Sequence, residues 1–234
     1  LSNLRVPLSR YIFNSFFVAI ITTFLYVTVS TLAAFVLTKS PLKSKKKIFI
    51  IVQYALLFNT YTLAIPQYLI FSCMGVIDTY WAYILPHIAT TMGVFLMKQY
   101  MEGSVPNAIM EAAKIDGCND FGAFFRIIFP LAKPCVAAIL LFCGVNHWNS
   151  WFDGYIYIKN EHLLPLQTIL MRVINQSAAA QSLEQAENMM IKTADGARPT
   201  VTPESIRYAT MVVSIGPIVL IYPFMQKYFE KGVM

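Results

Sequence analysis

The chain has 234 residues, of which 57% are hydrophobic and only 13% are charged, and its formal net charge is +6. Soluble globular proteins carry roughly 25% charged residues, so this composition excludes an ordinary soluble enzyme, and its many apolar residues exclude intrinsic disorder. The basic residues do not form a nucleic-acid-binding face, because five of the 18 cluster in residues 39–47 between two apolar runs. This placement is typical of a membrane protein whose orientation is set by basic loops.

Five runs without Asp, Glu, Lys or Arg are each long enough to cross a membrane. A bilayer core about 30 Å thick needs roughly 20 apolar helical residues. In chain order the runs are residues 11–38, 48–77, 79–97, 134–152 and 208–226. Because lipid offers backbone groups no hydrogen-bond partners, such unbroken runs predict helices rather than barrel strands. The predicted fold is an all-α polytopic membrane helix bundle with five spans in this chain.

Basic residues are more frequent on one side of these predicted spans. If successive loops lie on alternate sides of the membrane, one side carries eleven basic residues and the other carries seven. Five of those seven lie in one long loop, and the positive-inside rule gives less weight to long loops. The side with eleven is therefore predicted to be cytoplasmic, with Leu1 outside. Its segments are 39–47, 98–133 and 227–234, and those of the other side are 1–10, residue 78 and 153–207.

The predicted cytoplasmic loop 98–133 contains a short amphipathic helix at 105–115. Ser104 is a good N-cap, Pro106 suits the first helical turn, and Gly117 is placed to end or bend the helix. Residues at helical spacing form an apolar face that needs a partner. These residues are Ile109, Ala112 and Ala113. A helix lying in the lipid interface, or a plain connecting loop, would show the same pattern.

Motifs for catalysis, nucleotide binding and metal binding are missing from the sequence. No G-x-x-x-x-G-K-[ST] stretch occurs, so we predict no P-loop in this chain. The four cysteines form no C-x-x-C pair and are expected to be packing residues. Among the three scattered histidines, His87 lies inside the third run, where we expect either a neutral ring bonded to a neighbouring helix or a functional group. We therefore predict no catalytic, cofactor or metal site in this chain.

One constellation in loop 98–133 has a specific order and spacing. Glu111-Ala112-Ala113 is followed, two residues later, by Asp116-Gly117. An aromatic residue, an isoleucine and two prolines come next, namely Phe124, Ile127, Pro130 and Pro134. This pattern resembles the EAA loop of ABC importer permeases, and its position between two predicted spans agrees with that resemblance.

Nearly the whole chain resembles the carbohydrate-uptake branch of that family, and in particular its maltose-type second permease. The similar stretches are Asn14-Ser15, 146–157, 164–167 and 226–229. The long external segment 176–204 is less typical of maltose-type permeases. It is more similar to permeases associated with larger or acidic oligosaccharides.

The resemblance implies a type I ABC importer permease of the bacterial plasma membrane, with one transmembrane domain over residues 1–234. Its EAA coupling loop would lie at about 98–133 and its long external loop at about 153–207. Six spans are expected in the full protein, one of them before Leu1, and residues are also expected after Met234. The implied partners are a second, different permease subunit, two ATPase subunits that bind ATP and Mg²⁺, an extracellular solute-binding protein, a sugar and membrane lipid. The implied ATPase-coupling residues are Glu111, Ala112, Ala113, Asp116, Gly117, Phe124, Ile127 and Pro130.

Two places in the chain combine the polar and aromatic side chains that a sugar path needs. Sugar rings offer hydroxyls for hydrogen bonds and apolar faces for stacking on aromatic rings. The first place lies within the second run, and the second at the outer end of the fourth. Their candidate path residues are Asn59, Tyr61 and Gln67, and Asn146, Trp148, Asn149 and Trp151. Hydrogen bonding between helices or an interfacial aromatic belt would explain the same residues without a transport role.

The charges of the external loop favour a docking role over contact with the sugar, because acidic residues nearly balance the basic ones. The basic residues are Arg172, Lys192, Arg198 and Arg207, and the acidic ones Glu184, Glu187, Asp195 and Glu204. Two alternative functions remain, a permease for peptides, amino acids or ions and a membrane protein that transports nothing. The EAA spacing disfavours the second alternative, since such a protein has no need to hold that pattern in a cytoplasmic loop.

Overall fold

The computed structural model describes residues 6–40, 42–59 and 61–190, together with six single positions between 208 and 219. Every regular element within these residues is helical, which confirms the predicted all-α class. Of the fifth predicted span, 208–226, only these six positions are described. The external charges from Lys192 to Arg207 lie outside the described residues.

Ten α-helices follow one another along the described part of the chain. They are α1 Leu8–Lys39, α2 Lys45–Ala55, α3 Ala64–Cys73, α4 Trp81–Ile84, α5 Thr91–Ser104, α6 Asn107–Ile115, α7 Asp120–Ala123, α8 Phe129–Asn149, α9 Phe152–Tyr157 and α10 Leu166–Met190. A π-helical turn, Phe124–Ile128, connects α7 to α8. Asp120–Asn149 is therefore one continuous helix of 30 residues.

Two helices in the described ranges are long and apolar enough to cross a membrane, Leu8–Lys39 and Asp120–Asn149. The runs 48–77 and 79–97, each predicted as one span, are broken into shorter helices, so the count of five spans is not confirmed. In the first of them the side-chain Oδ1 of Asn59 accepts the backbone N–H of Tyr61 at 3.0 Å, an alternative to helical bonding. In the second, α4 gives way to a 3₁₀ turn containing Pro86, which has no N–H to donate.

Helix α1 lies at the centre of the described part and contacts α2, α4, α5, α8 and α10. One apolar cluster surrounds its Lys39 end and includes Phe35 and Met101. A second cluster surrounds its Leu8 end and includes Tyr11 and Tyr157. Each end of α1 therefore supports its own group of candidate functional residues.

Candidate functional sites

Helix α6 occupies the segment at the Lys39 end that the sequence singled out, but it begins later than predicted. Ser104 is the last residue of α5, and Pro106 takes the N-cap position of α6. The intervening Val105 is extended, with φ −120° and ψ 98°. A residue before proline is disfavoured in the α region, so the two helices are separated at this point. The prediction of Ser104 as the N-cap was therefore wrong.

The predicted apolar face of α6 is divided between the protein interior and the surface. Ala113 is buried together with Met110, whereas Ala112 is exposed and Ile109 is half-buried. Ile115 is 85% exposed. The face that packs on the protein is thus centred on Met110 and Ala113, because the core cluster at the Lys39 end lies on that side. The opposite face carries Glu111, Ala112 and Ile115 and is free to meet another molecule.

Gly117 ends α6, as the sequence predicted. Its φ is +74°, a left-handed conformation that glycine adopts without steric cost. The Cys118 N–H donates to the Ala113 carbonyl at 2.9 Å, and the Gly117 N–H donates to the Lys114 carbonyl at 3.1 Å. This pair of bonds is the Schellman motif, which satisfies the last carbonyls of a helix. Asp116 is exposed beside this turn.

The remaining residues that the sequence predicts for ATPase coupling lie along the helix that returns from α6. Phe124 is buried in the π-helical turn, with its ring 5.2 Å from that of Phe35 on α1. Ile127 is half-buried against the same core, and Pro130 is exposed in the first turn of α8. Phe124 therefore joins the segment after α6 to the central helix, and π-helical turns of this kind are frequent at functional sites.

Lys39 bonds the residues at the start of α6, and the sequence did not predict this contact. Its Nζ donates to the Val105 carbonyl at 2.6 Å and to Asn107 Oδ1 at 2.8 Å. In the sequence, Lys39 is one residue of the basic cluster 39–47, and that cluster indicates only how the chain is oriented in the membrane. The structure adds that Lys39 fixes the end of α1 to the start of α6.

Replacing Lys39 with methionine should loosen the start of α6. The change keeps much of the side-chain stem but leaves the Val105 carbonyl without its charged donor, a loss of about 1.5–3 kcal/mol for a hydrogen bond to a charged group. We expect backbone amides of residues 107–112 to exchange hydrogen about tenfold faster in the purified complex. Lys46→Met, at an exposed position of the same basic cluster, is the matched control. Equal exchange in the two variants would show that Lys39 does not hold α6.

The Leu8 end brings two distant candidate path residues onto one row of aromatic rings. The Tyr61 ring is 4.8 Å from that of Phe152, which is 5.9 Å from that of Trp151. Trp151 in turn is 6.1 Å from Tyr155. We call these four residues the aromatic row. Tyr61 and Tyr155, at its two ends, are 62% and 47% exposed, so the row is accessible to a ligand.

The other candidate path residues lie in different surroundings. Trp148 is only 6% exposed and packs its ring 4.9 Å from that of Phe16. Asn146 and Asn149 are exposed on α8, Asn59 is exposed in its turn, and Gln67 is half-buried on α3. Trp148 is therefore a core residue of the Leu8 end, whereas the exposed asparagines can reach a ligand.

A polar pair formed by a half-buried histidine and a buried aspartate lies beside the aromatic row. His87 Nε2 and Asp153 Oδ2 are 2.8 Å apart, and Ser150 Oγ donates to the same carboxylate oxygen at 3.2 Å. The His147 ring is 4.9 Å from that of His87. His87 is therefore hydrogen-bonded to a neighbouring helix, as one of the two expectations had it, and its partner is Asp153 on α9. The cleft that these residues line has room for one water molecule at most, and no metal-binding group of three His, Cys, Asp or Glu residues occurs in the described ranges.

The segment between α9 and α10 is anchored on the first turns of α1. The side-chain amide of Asn14 donates to the carbonyls of His162 at 2.8 Å and Leu164 at 3.0 Å. Ser15 Oγ accepts the Leu166 N–H at 2.8 Å. Asn14-Ser15, which the sequence identified through its resemblance alone, thus has a structural task. These bonds fix the start of α10 relative to the aromatic row.

The chain matches known proteins over nearly its full length. The family model described as "Binding-protein-dependent transport system inner membrane component" matches residues 5–234. The polygalacturonan/rhamnogalacturonan transport system permease protein YtcP of Bacillus subtilis is 32% identical over 96% of this chain and 78% of its own length. The arabinooligosaccharides transport system permease protein AraQ of Halalkalibacterium halodurans is 30% identical over 94% of this chain and 70% of its own. A crystal structure of a bacterial ABC transporter involved in import of the acidic polysaccharide alginate aligns with a TM-score of 0.72 and 26% identity, covering 94% of this chain and 75% of that one.

Proposed function

The chain belongs to the family of binding-protein-dependent transport system inner membrane components, and from this membership we propose that it is the membrane-spanning permease subunit of an ATP-driven saccharide importer. The family match over residues 5–234 is the observation that carries the proposal. Such a subunit forms the pathway and catalyses no reaction itself. It acts with a second, different permease subunit, two ATPase subunits that bind ATP and Mg²⁺, and an extracellular solute-binding protein, in the bacterial plasma membrane.

Helix α6 is the proposed docking element for an ATPase subunit. Its face with Glu111, Ala112 and Ile115 is exposed, while its opposite face is packed on the core. Small Ala112 permits close approach of a partner, and Glu111 offers a carboxylate to a cationic side chain. Lys39 and Phe124 join the two ends of this segment to α1. A rigidly held helix transmits the movement of its partner because packed interfaces switch between discrete arrangements.

The proposed substrate is a saccharide that passes the Leu8 end of α1. Two relatives and the aligned transporter are named for the transport of polysaccharides or oligosaccharides. The exposed ends of the aromatic row offer ring faces for sugar C–H groups, and Asn59, Asn146 and Asn149 offer amides for hydroxyls. Weak contacts spread over several positions suit a substrate that must bind and then leave.

Uptake by cells tests the proposal directly. Deleting this chain should reduce uptake of labelled oligosaccharides to background, and expressing it again should restore uptake, because the partner subunits form no pathway without it. A glucose-importing system that does not use this chain serves as the control for membrane energisation. If deletion abolished uptake of peptides or metal ions while every tested sugar entered normally, the chain would be an importer subunit for a different solute.

A further inference from the structure

A cavity of about 450 Å³ opens between α9 and α10 at the Leu8 end. Its lining residues are Tyr155, Arg172, Asn175, Gln176 and Ala179. Ligand-binding pockets have volumes of roughly 300–1,000 Å³, so this cavity is large enough for a sugar ring. It combines an aromatic ring, two amides and one cation, and the site described above uses only Tyr155.

The guanidinium of Arg172 is held in place with most of its donors unused. One nitrogen, Nη2, donates to the Ile158 carbonyl at 3.3 Å, and the side chain is half-buried. Among the described residues, no carboxylate forms an ion pair with it. A guanidinium has five N–H donors in a planar fork that matches a carboxylate. The sequence predicts Arg172 to be one of the loop charges that contact a docking protein. In the structure Arg172 lines this cavity, where it can bind a ligand instead.

We propose that this cavity is a subsite for a sugar ring that bears a carboxylate, such as a uronate, and that Arg172 binds that carboxylate. The Tyr155 ring lies in the same lining and can stack on the apolar face of the sugar, while Asn175 and Gln176 can bond its hydroxyls. A phosphate or a carboxylate alone would use the cation but would leave the ring and the amides without a partner. The complete lining therefore fits an acidic saccharide better than a small anion.

The subsite is continuous with the rest of the proposed path. Tyr155 is one end of the aromatic row, whose rings follow one another at 6.1, 5.9 and 4.8 Å to Tyr61. A chain of sugar rings can therefore move from the cavity along the row, losing one stacking contact as it gains the next. No fixed cation is needed beyond the cavity, and a buried charge along the row would trap the acidic substrate.

This inference rests on the proposed function, and reconstituted transport separates the two. The complete transporter in proteoliposomes is given a labelled oligogalacturonate and, separately, its fully methyl-esterified form, which lacks the charge. Arg172→Gln should reduce uptake of the acid about tenfold, because one charge-assisted hydrogen bond is lost. The same variant should leave uptake of the ester unchanged. Arg172→Lys should retain an intermediate rate for the acid, because it keeps the charge without the planar fork. Lys159→Gln removes an exposed cation next to α9 and is the matched control.

The two arms give separable outcomes. If Arg172→Gln lowers the uptake of acid and ester equally, or of neither, the carboxylate subsite is wrong and saccharide transport stands. If the wild-type transporter moves neither galacturonate, the subsite is wrong, and the cell-uptake assay with other oligosaccharides then decides whether the proposed function stands. The solute-binding protein is the same in every sample, so any change in the ratio of acid to ester uptake arises from this chain. Size-exclusion chromatography of each variant complex shows that assembly is intact.

Discussion

Replacing Gly117 with valine is expected to uncouple ATP hydrolysis from transport while leaving the chain in the membrane. Gly117 has φ +74°, and a β-branched residue held in that conformation costs about 1–3 kcal/mol. Beyond the residues next to Gly117 in the chain, no atom lies within 4 Å of the position that a Cβ would occupy, so the cost is local backbone strain and not a clash with another part of the protein. We expect the Schellman turn to open and α6 to lose its fixed angle. Transport per ATP hydrolysed should fall at least tenfold.

The paired measurement is substrate uptake and ATP hydrolysis by the reconstituted complex. Gly117→Asn should retain most of the coupling, because asparagine tolerates the left-handed conformation better than other non-glycine residues. Gly103→Val places the same side chain on α5, where a Cβ also meets nothing within 4 Å and φ is not positive. If Gly117→Val and Gly103→Val transported equally well per ATP, the turn would have no role in coupling.

The end of α6 could be predicted because a helix stop is a local event. Gly117 follows the last periodic residue directly, and the left-handed turn needs no distant contact. The beginning of α6 depends on a local competition between the capping preference of Ser104 and the restriction that Pro106 places on Val105. Ser104 was favoured as a cap, although the proline two residues later separates the helices by restricting Val105. In this loop the backbone restriction had more influence than the capping preference.

The breaks in the second and third apolar runs show where hydropathy alone is insufficient. Length and composition predicted one span in each, and the polar residues around Asn59 were interpreted as a path within a continuous helix. The Asn59 side chain instead bonds the backbone of Tyr61 in the non-helical segment between α2 and α3. Average hydropathy is insensitive to a single side chain that competes for backbone hydrogen bonds.

The contacts of the Leu8 end depend on tertiary structure and had no signature in the sequence. Tyr61 and Phe152 meet although they are far apart in the chain, and at the opposite end of α1 Lys39 likewise bonds Val105, 66 residues away in the chain. Nothing in the neighbouring residues specifies either pair. Composition identified both candidate path segments as polar and aromatic, but only the packing of α9 shows that Trp151 and Tyr61 belong to one row.

Replacing Gly154 with alanine should destabilise the Leu8 end of the protein. Gly154 is buried on α9, and an added Cβ would overlap Thr168 Oγ1 and lie 3.0 Å from Tyr83 Oη. Thr168 cannot turn away freely, because its hydroxyl donates to the Trp151 carbonyl at 3.1 Å. Forcing an extra methyl group into such packing costs about 1–3 kcal/mol. We expect a lower unfolding temperature of the purified complex and reduced uptake, since α9 carries both Asp153 and Phe152.

Two further variants identify the cause of that loss. Gly144→Ala adds the same methyl group on neighbouring α8, where the nearest atom is Thr23 Oγ1 at 4.0 Å, an ordinary contact. Its unfolding temperature should be equal to or slightly above that of the wild type, because alanine favours a helix more than glycine does, and a drop as large as that of Gly154→Ala would contradict the close-approach argument. Adding Thr168→Ala to Gly154→Ala removes the overlapping oxygen and should restore part of the stability. Recovery should remain incomplete, because the contact with Tyr83 persists and the hydrogen bond to Trp151 is lost.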